Sequence, residues 1–426
     1  MNRRYFLQSS VALATLSKSV VAASDKVNLA FIGVRGQGKG LVNQFAGLPD
    51  VDISYLCDVD ENVFAPAAKI VEEKKGKKPQ MISDLRKALD DKSVDAIVIA
   101  TPDHWHAPAT LLGCAAGKDV YVEKPCSHNL REGRLMVEAA RRTKRVVQHG
   151  TMYRSYPTHI RAVEYVRSGK IGKALMAKAW DVQLRDDIGH KEDSPVPKGV
   201  DYETWTGPAL MLPFNENRFH YKWHWHWNYG TGDAGNDGVH QIDLARWALG
   251  VEAPLEVSGM GRKIYFQDDQ KTPDTMNITF NYQDKAIIFE MRIWNPYGME
   301  NQENGVAVYG SDGVVHMGRW STDKGRKNGY RVYDRDHKPV LEEYEPQIQS
   351  WHPRNFIDCI RSRQKSNADI EIGFTSTLHS HLANIVARTG RSLKFDAKSD
   401  SIPGDAEASK LLGRQYRSHW ATPKES

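Results

Sequence analysis

Cysteine is scarce in this sequence, with four residues in 426, and no pair has the CxxC or finger spacing of a metal site. Three of them, Cys57, Cys114 and Cys126, fall in or beside strand and helix patterns, so we expect small buried hydrophobes and no disulfide framework. The net charge is only +5, and no basic cluster has the spacing of a nucleic-acid-binding protein. With 40% hydrophobic and 26% charged residues and no internal repeats, the composition indicates a soluble globular protein without a nucleic-acid partner.

Long apolar runs are also lacking, and the N-terminus shows this best. Arg3 and Arg4 are followed by Phe6 and Leu7, then by a modest apolar stretch and a few small residues. This segment is too short and too weakly apolar for a stable membrane span, but it resembles a twin-arginine export signal. We therefore expect residues 1–24 to be a signal peptide of a periplasmic protein; an ordinary amphipathic helix is the alternative.

The rest of the chain is long enough for two domains, and the first half has a regular pattern. Between residues 25 and 150, apolar β-branched segments alternate with helical ones at 64–77, 107–116 and 130–143. The strand segments read VNLAFIGV, VDISYLCDVD, DAIVIATP, DVYVEKP and RVVQHG. Strands that alternate with helices at this spacing predict a doubly wound parallel sheet, the Rossmann fold, over 25–150.

The second half has a different pattern. After a helical segment at 160–167, most apolar residues recur with a period of two, which predicts a large, mostly antiparallel sheet with one open face. We expect this α+β domain to span 151–400, with a helix at 375–389 and a weakly ordered polar tail at 401–426. A long irregular stretch, 185–229, interrupts the domain, and loops of that length are usually functional.

The first strand is followed by a glycine-rich turn, GVRGQG. Gly33 permits a tight turn, Gly36 and Gly38 allow close backbone approach and helix packing, and the helix start can hold a pyrophosphate. Arg35 replaces the usual middle glycine and would add a charged contact to phosphate. Asp58 ends the next strand, where an acid bonds the ribose 2′-hydroxyl and repels a 2′-phosphate. The turn therefore predicts an NAD site, although Asp58 read alone could be a simple turn aspartate.

The segment DVYVEKP places Glu123 and Lys124 at the carboxyl end of a buried strand, because Pro125 stops the strand. Ligands of open α/β sheets bind at that edge. A lysine there can hydrogen-bond a substrate hydroxyl and take part in proton transfer. A solvated salt pair at a strand end is the alternative for this stretch alone.

TPDHWHA at 101–107, followed some twenty residues later by EKP, resembles the glucose–fructose oxidoreductase / inositol dehydrogenase / rhizopine-catabolism (Gfo/Idh/MocA) family. YRSYP, WTGPA, GVHQID and GRSLKFD extend the resemblance over nearly the whole mature chain. It implies a two-domain NAD(P)-dependent enzyme that acts on sugars or polyols. It also implies that Thr101, Trp105 and His106 line the cofactor pocket and that Glu123 and Lys124 contact cofactor and substrate.

The same resemblance points to a second catalytic element, the helix start Asn236–Asp243 with the sequence NDGVHQID. His240 falls on the family's catalytic histidine. Asn236 stands where the family usually has an acid, and an amide can orient a hydroxyl but cannot take a proton. The base would then be His240 or Lys124, and a histidine with an ordinary pKa near 6.5 suits that task.

The stretch FHYKWHWHWNY at 219–229 is unusually rich in rings. If it is extended, its tryptophans and histidines lie on opposite faces, and Trp223 could pack on a sugar. Loop packing is equally compatible with the pattern, whereas a metal site from the three histidines lacks a matching carboxylate spacing, so we expect no metal. Tyr153 and Arg154 follow the last Rossmann strand, and we expect both to bind substrate.

Together these patterns predict a periplasmic NAD-dependent oxidoreductase that acts on a secondary hydroxyl of a sugar, with the cofactor held tightly and recycled. The family also contains redox-neutral glycosidases of the α-N-acetylgalactosaminidase type, which this chain resembles in its exported N-terminus and its VRGQ and HWH stretches. A carbohydrate-binding protein with a vestigial Rossmann domain is the alternative from another class. The open face of the second sheet suggests a homo-dimer or homo-tetramer.

Overall fold

The structure is a computed structural model that describes residues 26–299, 302–322, 325–346 and 348–424. The expected signal peptide, residues 1–24, lies outside the described residues. Among the described residues, no helix combines the length and the apolar character that crossing a membrane requires.

The first half of the chain forms a six-stranded parallel sheet in the order β3-β2-β1-β4-β5-β6. Its strands are β1 (Val27–Ile32), β2 (Val51–Cys57), β3 (Gln80–Ile82), β4 (Ala96–Ile99), β5 (Asp119–Val122) and β6 (Val147–His149). Its helices are α1 (Gln37–Ala46), α2 (Phe64–Lys75), α3 (Arg86–Asp90), α4 (Asp103–Ala115) and α5 (Leu130–Thr143). Every residue of β4 and β5 is buried, as expected for parallel strands covered on both faces.

The topology of this sheet locates the binding edge. Strand β1 pairs with β2 on one side and with β4 on the other, so the strand order reverses at β1. Ligands of doubly wound sheets bind beyond the carboxyl ends of the strands at such a reversal. The turns that follow β1, β2, β4 and β5, all predicted to carry binding residues, therefore share one edge.

The second half forms a nine-stranded sheet in the order β14-β13-β12-β11-β7-β10-β9-β8-β15, with only the β7–β10 pair parallel. The strands are β7 (Ala174–Val182), β8 (Glu256–Arg262), β9 (Thr275–Asn281), β10 (Ala286–Arg292), β11 (Asn304–Gly310), β12 (Gly313–Thr322), β13 (Gly325–Asp334), β14 (Pro339–Pro346) and β15 (Leu393–Lys394). The helices are α6 (Pro157–Arg167), α7 (Tyr202–Thr206), α8 (Gly232–Asn236), α9 (Gly238–Leu249), α10 (Trp351–Ser362), α11 (Ile370–Thr389) and α12 (Ala406–Lys410). The predicted fold class, a Rossmann sheet plus a mostly antiparallel α+β sheet, is confirmed.

One face of the large sheet carries its core. Along β10 every second residue is buried, and Ile287, Phe289 and Met291 are fully enclosed. Helix α9 packs on this face so closely that a Cβ at Gly238 would lie 2.5 Å from the ring of Phe289. The sheet therefore fixes the start of α9, where His240 lies.

Helix α10, which the sequence analysis did not predict, returns to the Rossmann sheet. Its Phe356 is fully buried and packs edge-on against Phe45 and Tyr121. Arg354 forms an ion pair with Asp50 at 2.7 Å. The core of the first domain is thus completed by a helix from late in the chain.

The end of the chain also differs from the sequence-based expectation. Residues 401–424 do not form a weakly ordered tail, because Leu412 and Ala421 are buried and Leu412 accepts a backbone hydrogen bond from Arg131 in α5 at 3.0 Å. Polar composition suggested solvent exposure, but a few apolar anchors are enough to dock the segment.

Candidate active site

A cavity of about 390 Å³ lies along the carboxyl edge of the parallel sheet, a volume in the range of small-molecule sites. Its floor comes from the ends of β1, β2, β4 and β5, and its roof comes from the segment 204–224 and from Trp420. The structure therefore brings the predicted cofactor residues into one cleft. The members of that predicted set which line it are Gly33, Arg35, Gly36, Asp58, Thr101, Trp105, His106, Glu123 and Lys124, together with Trp223 and Asn236.

The glycine turn after β1 fits a dinucleotide. Gly33 has a φ of +83°, and a Cβ there would lie 2.6 Å from the carbonyl oxygen of Ala100. A Cβ on Gly38 would lie 2.0 Å from the Gly33 carbonyl oxygen, so the packing of α1 on the strand requires glycine. Gly36 precedes α1 with a φ of +45°, and no side chain caps the helix start, which is the position where a helix binds an anion.

Asp58 lies beside this turn. Its Oδ2 accepts a hydrogen bond from the backbone N–H of Val34 at 2.9 Å, and its Oδ1 accepts one from Asp60 N–H at 3.1 Å. Burial raises the pKa of Asp58, although these backbone donors oppose the shift. Each carboxylate oxygen keeps acceptor capacity for a ribose hydroxyl, so turn and acid together have the donor and acceptor set of an NAD site.

The end of β4 forms the next part of the wall. His106 Nδ1 lies 2.6 Å from Pro125 O and His106 Nε2 lies 2.9 Å from Thr101 O, so the ring links the ends of β4 and β5. Burial lowers the pKa of His106 to about 4, and its contacts with the two carbonyl oxygens oppose this shift. Trp105 donates its indole N–H to Trp205 O at 2.9 Å and thereby attaches α4 to the roof segment.

Glu123 and Lys124 turn in different directions at the end of β5. Glu123 is buried and accepts a hydrogen bond from Gln37 Nε2 at 3.0 Å, which ties β5 to the glycine turn. Lys124 points to the second domain, where its Nζ donates to Asn236 O at 2.5 Å and to Asn236 Oδ1 at 3.1 Å. Lys124 is thus the polar contact between the Rossmann edge and the predicted second catalytic element.

Behind Asn236 lies a group of charges that the sequence analysis missed. Asn236 Nδ2 donates to Asp233 Oδ1 at 2.8 Å, and Arg185 pairs with Asp233 at 3.0 Å and with Asp237 at 2.7 Å. Burial would raise the pKa of Asp237, but the charges of Arg185 and Lys124 outweigh it and hold this pKa at about 2. Acids three residues before and one residue after Asn236 were the available signal in the sequence.

His240 follows one turn later on α9, and it does not line the cavity itself. Its ring lies 5.5 Å from that of Tyr153, and its Nδ1 has no hydrogen-bond partner among the described residues. Burial, followed by the positive charge of Lys124, lowers the pKa of His240 to about 4. This pKa lies below the ordinary value near 6.5, so the buried imidazole is held in its neutral form.

Tyr153 and Arg154 differ from the expectation that both reach substrate. Arg154 forms a bidentate ion pair with Asp243, with N–O distances of 2.8 to 3.0 Å, and both side chains are buried. Tyr153 stacks on His159 with ring centroids 4.6 Å apart. Neither residue lines the cavity, and the Arg154 guanidinium is committed to Asp243. Tyr153 packs against His240, whereas Arg154 holds α9 through Asp243.

The ring-rich stretch is not extended, which leaves loop packing of the two interpretations offered for it. Residues His220–Trp225 form a 3₁₀ helix, so tryptophans and histidines do not separate onto opposite faces. Trp223 stacks on His224 at 3.6 Å, and His220 Nε2 lies 3.0 Å from Asp60 Oδ2. In the described part of the chain, no group of three or more His, Cys, Asp or Glu side chains could hold a metal ion. Tyr221 and Trp223 instead line the cavity near Lys124.

Comparison with known proteins agrees with this geometry. Residues 27–151 match the profile described as "Oxidoreductase family, NAD-binding Rossmann fold", and residues 177–422 match "Oxidoreductase family, C-terminal alpha/beta domain". The second match ends at residue 422, which agrees with the docked chain end. The two profiles cover most of the chain.

Curated relatives include a glycosyl hydrolase family 109 protein of Shewanella pealeana, 29% identical over 164 residues, which are 38% of this chain and 36% of that protein. An α-N-acetylgalactosaminidase of Shewanella oneidensis is 29% identical over 176 residues, 39% of this chain and 38% of the relative. The matched part therefore spans well under half of the length of these relatives.

Solved structures share the fold at low sequence identity. The aldose-aldose oxidoreductase of Caulobacter crescentus is 19% identical with a TM-score of 0.64, and covers 87% of this chain and 100% of that one. GenD2 of gentamicin A biosynthesis, solved with NAD, is 20% identical with a TM-score of 0.65, and the match covers 91% of this chain and 100% of GenD2. With both domains matched in sequence and in fold, the chain belongs to the Gfo/Idh/MocA oxidoreductase family and has that family's NAD-binding Rossmann domain.

Proposed function

We propose that this protein is an NAD-dependent oxidoreductase that acts on a secondary hydroxyl of a sugar or glycoside and keeps its cofactor between turnovers. One observation carries the proposal. The cleft that contains the glycine turn and Asp58 also contains the Lys124 ammonium, which Asn236 holds at 2.5 and 3.1 Å. A dinucleotide site and a donor for a hydroxyl oxygen thus share one cavity.

Three residues of the chain act on the substrate hydroxyl or on its proton. Lys124 donates to the hydroxyl oxygen and stabilises the negative charge that develops on it. His240 does not line the cavity, so the hydroxyl proton reaches it through Lys124: Lys124 gives one proton to the neutral imidazole and takes up the proton of the hydroxyl. Bound NAD supplies the acceptor for the hydride that leaves the carbon. Asp237, ionised at physiological pH, stabilises positive charge that accumulates on Lys124 and His240.

The substrate class follows from the wall opposite the Rossmann edge. Tyr221 and Trp223 line the same cavity as Lys124 and Asn236, and aromatic rings together with hydrogen-bonding groups are the usual lining of a sugar site. Relatives and structural neighbours named as glycosidases and as an aldose oxidoreductase support the same class.

A redox-neutral glycosidase is the second candidate, and the named relatives favour it. In that cycle a ring hydroxyl is oxidised to a ketone, a proton next to the ketone is removed, and the aglycone leaves. Water then adds to the unsaturated ketone and the same hydride returns to carbon. The cycle has no net oxidation, which separates it from the first candidate by measurement.

A panel of chromogenic glycosides and free sugars tests both candidates, with NADH absorbance and released aglycone followed together. NADH without aglycone supports the oxidoreductase, and aglycone without lasting NADH supports the glycosidase. Lys124→Ala is the matched inactive control. Binding of sugars without either signal would refute both and leave the carbohydrate-binding protein with a vestigial Rossmann domain.

Retention of the cofactor has its own test. The protein is purified without added NAD and denatured, and the supernatant is assayed for dinucleotide. We expect about one NAD per chain, because the roof segment 204–224 and Trp420 cover the cleft. If the protein purifies without NAD and its activity depends on millimolar added NAD, the cofactor is not retained. The protein would then be a conventional dehydrogenase.

The site of action is a further proposal, supported by the pattern of Arg3 and Arg4 before an apolar stretch. We propose export through the twin-arginine route to the periplasm, after the cofactor is bound. A fusion of residues 1–24 to a reporter should be exported, and Arg3→Lys with Arg4→Lys should retain it inside the cell. Export of that variant at the normal rate would contradict the proposal.

We also propose a homo-dimer or homo-tetramer through the outer face of the nine-stranded sheet. Alternate residues of β10 that face away from the core are only half-buried in a single chain. Light scattering coupled to size-exclusion chromatography should give a multiple of the chain mass, and a monomer at micromolar concentration would refute the interface.

A further inference from the structure

Residues 414–422 reach the cleft from late in the chain, and we name this segment the C-terminal strap. On one side Arg417 donates to Gly207 O at 2.6 Å, which fixes the strap to the roof segment. On the other side Tyr416 donates its hydroxyl to Glu132 Oε1 at 2.7 Å, which fixes it to α5 of the Rossmann domain. The strap is therefore attached both to the roof segment and to a helix of the Rossmann domain.

Trp420 is the strap residue that enters the cavity wall. The guanidinium carbon of Arg86 lies 4.4 Å from its ring centroid, and the ring of Trp105 lies 5.8 Å away at an interplanar angle of 52°. Even so, 41% of Trp420 remains exposed. Arg86 and Trp105 thus hold a large aromatic ring in place, while part of that ring remains exposed at the cavity wall.

The Arg86 guanidinium that contacts the Trp420 ring is itself held by an acid. Arg86 donates to both oxygens of Asp84, with Nε–Oδ1 at 3.0 Å and NH2–Oδ2 at 2.7 Å. This pairing orients the guanidinium plane at the start of α3, where it covers one side of Trp420. The ring therefore does not rely on the strap alone for its position.

The strand order tells which end of the cleft Trp420 covers. Ser83 and Leu85 follow β3 and line the cavity, and Asp58 follows β2. In the sheet both strands lie on the opposite side of β1 from β5, which carries Lys124. Because the acid after β2 binds the ribose of the adenosine half, this end receives adenosine and the Lys124 end receives nicotinamide.

We propose that Trp420 closes the adenosine end of the cleft and slows the release of the dinucleotide, with Arg86 holding the ring in its stacking position. The inference rests on NAD binding by the Rossmann domain and deepens the proposed function, because it assigns cofactor retention to particular residues. A flat ring that stacks on one face of a purine stabilises the bound state in a sequence-independent way.

The test compares Trp420→Ala, Trp420→Phe and the control Tyr297→Ala, which removes an aromatic ring that is 79% exposed and does not line the cavity. Protein loaded with NADH is mixed with excess NAD, and release is followed by nicotinamide fluorescence. Affinities for ADP and for reduced nicotinamide mononucleotide are measured by calorimetry. We expect Trp420→Ala to speed release and weaken ADP by on the order of tenfold, with the mononucleotide unchanged and Trp420→Phe intermediate.

Unchanged release and unchanged ADP affinity in Trp420→Ala would overturn the proposal, and so would equal losses for ADP and the mononucleotide, which indicate a general collapse of the cleft. Arg86→Met leaves the strap unchanged and should also weaken ADP binding, by a smaller factor than Trp420→Ala. This variant provides the test if Trp420→Ala fails to fold. None of these measurements needs a sugar. The role of Trp420 can therefore be tested even if the carbohydrate assay refutes the proposed activity.

Discussion

The Lys124 ammonium donates to both oxygens of Asn236, the backbone carbonyl at 2.5 Å and the side-chain amide at 3.1 Å. This contact joins the end of a Rossmann strand to the last residue of α8. It holds the ammonium at the cavity wall before substrate arrives. A group positioned in advance stabilises a developing charge without reorganisation, which is the largest contribution in many enzymes.

Replacement of Lys124 by alanine should reduce kcat by on the order of 10² to 10⁴ while NAD still binds, because the donor to the reacting oxygen is lost. Steady-state kinetics and dinucleotide titration measure the two effects separately. Lys178→Ala, which breaks an ion pair with Glu290 on the large sheet, serves as the control and should leave kcat unchanged. Activity of Lys124→Ala within a few-fold of the wild type would remove Lys124 from the mechanism.

Asn236→Asp, which introduces the family's usual acid, should harm this protein. The amide now donates to Asp233 Oδ1 at 2.8 Å, and a carboxylate there would face another carboxylate at that distance. One of the two acids would stay protonated, so the variant should lose about 1 to 3 kcal/mol of stability as the pH rises from 4 to 8. Asn236→Ser keeps a donor and should show no such pH dependence in thermal melts. Equal stability of Asn236→Asp at both pH values would contradict this account.

Asp58→Ser should narrow the preference for NAD over NADP by on the order of tenfold. Two like charges 4 Å apart near a protein surface repel by about 4 kcal/mol. A tenfold change in affinity needs only about 1.4 kcal/mol, so losing part of this repulsion is enough for the expected effect. Binding of both dinucleotides is measured by calorimetry. Asp52→Ser, on the same strand and paired with Lys77 at 3.1 Å, should leave the ratio unchanged. A wild-type protein that binds NADP more tightly would refute the role of Asp58.

The Rossmann half could be predicted from the sequence because local signals and packing agree there. Helix α5 begins and ends where its pattern predicts, since Asn129 caps it by accepting a hydrogen bond from Glu132 N–H at 3.1 Å. The strand ends followed from apolar runs that stop at Pro102 and Pro125. The cofactor residues followed in turn, because a parallel sheet brings all such ends to one edge.

The remaining parts depend on long-range contacts that no local pattern encodes. Residues 220–225 alternate like a strand, yet their rings pack into a 3₁₀ turn under the roof of the cleft. Strands β13 and β14 are polar along much of their length; β13 forms because β12 offers it an edge, and β14 forms because β13 does. Trp420 was overlooked because its partner Arg86 lies more than 300 positions away.

The Arg154–Asp243 pair should behave as a buried structural ion pair. Asp243→Asn leaves the Arg154 charge buried without a carboxylate, which should cost about 3 to 5 kcal/mol of unfolding free energy. The double variant Arg154→Met with Asp243→Leu should lose less than the sum of the two single variants, because neither charge is then stranded. Chemical denaturation measures the wild type, Asp243→Asn, Arg154→Met, Asp243→Leu and the double variant. Additive losses would show that the pair does not act as a unit and would reopen a substrate role for Arg154.

His159 carries the last prediction, which concerns acid stability. Its ring is buried, neither of its nitrogens has a hydrogen-bond partner among the described residues, and burial lowers its pKa to about 3. In the unfolded chain a histidine takes up a proton near pH 6.5, whereas the folded chain does not until about pH 3. The unfolded state therefore binds more protons between these values, and stability falls as the pH drops through this window.

His159→Phe removes this proton uptake while it keeps a flat ring against Tyr153, whose centroid is 4.6 Å away. At pH 4.5 the variant should gain about 2 to 3 kcal/mol relative to the wild type beyond any gain at pH 7.5, because one proton is worth about 1.4 kcal/mol per pH unit. Denaturant titrations at both pH values give the difference. His190→Asn is the contrasting control: a hydrogen bond to Asp269 raises the pKa of His190, so the stability that His190 contributes is fully present below pH 6.5 and is lost as the pH rises, and its removal should give no gain at pH 4.5. Parallel stability curves for His159→Phe and the wild type between pH 4.5 and 7.5 would show that His159 is protonated in the folded protein.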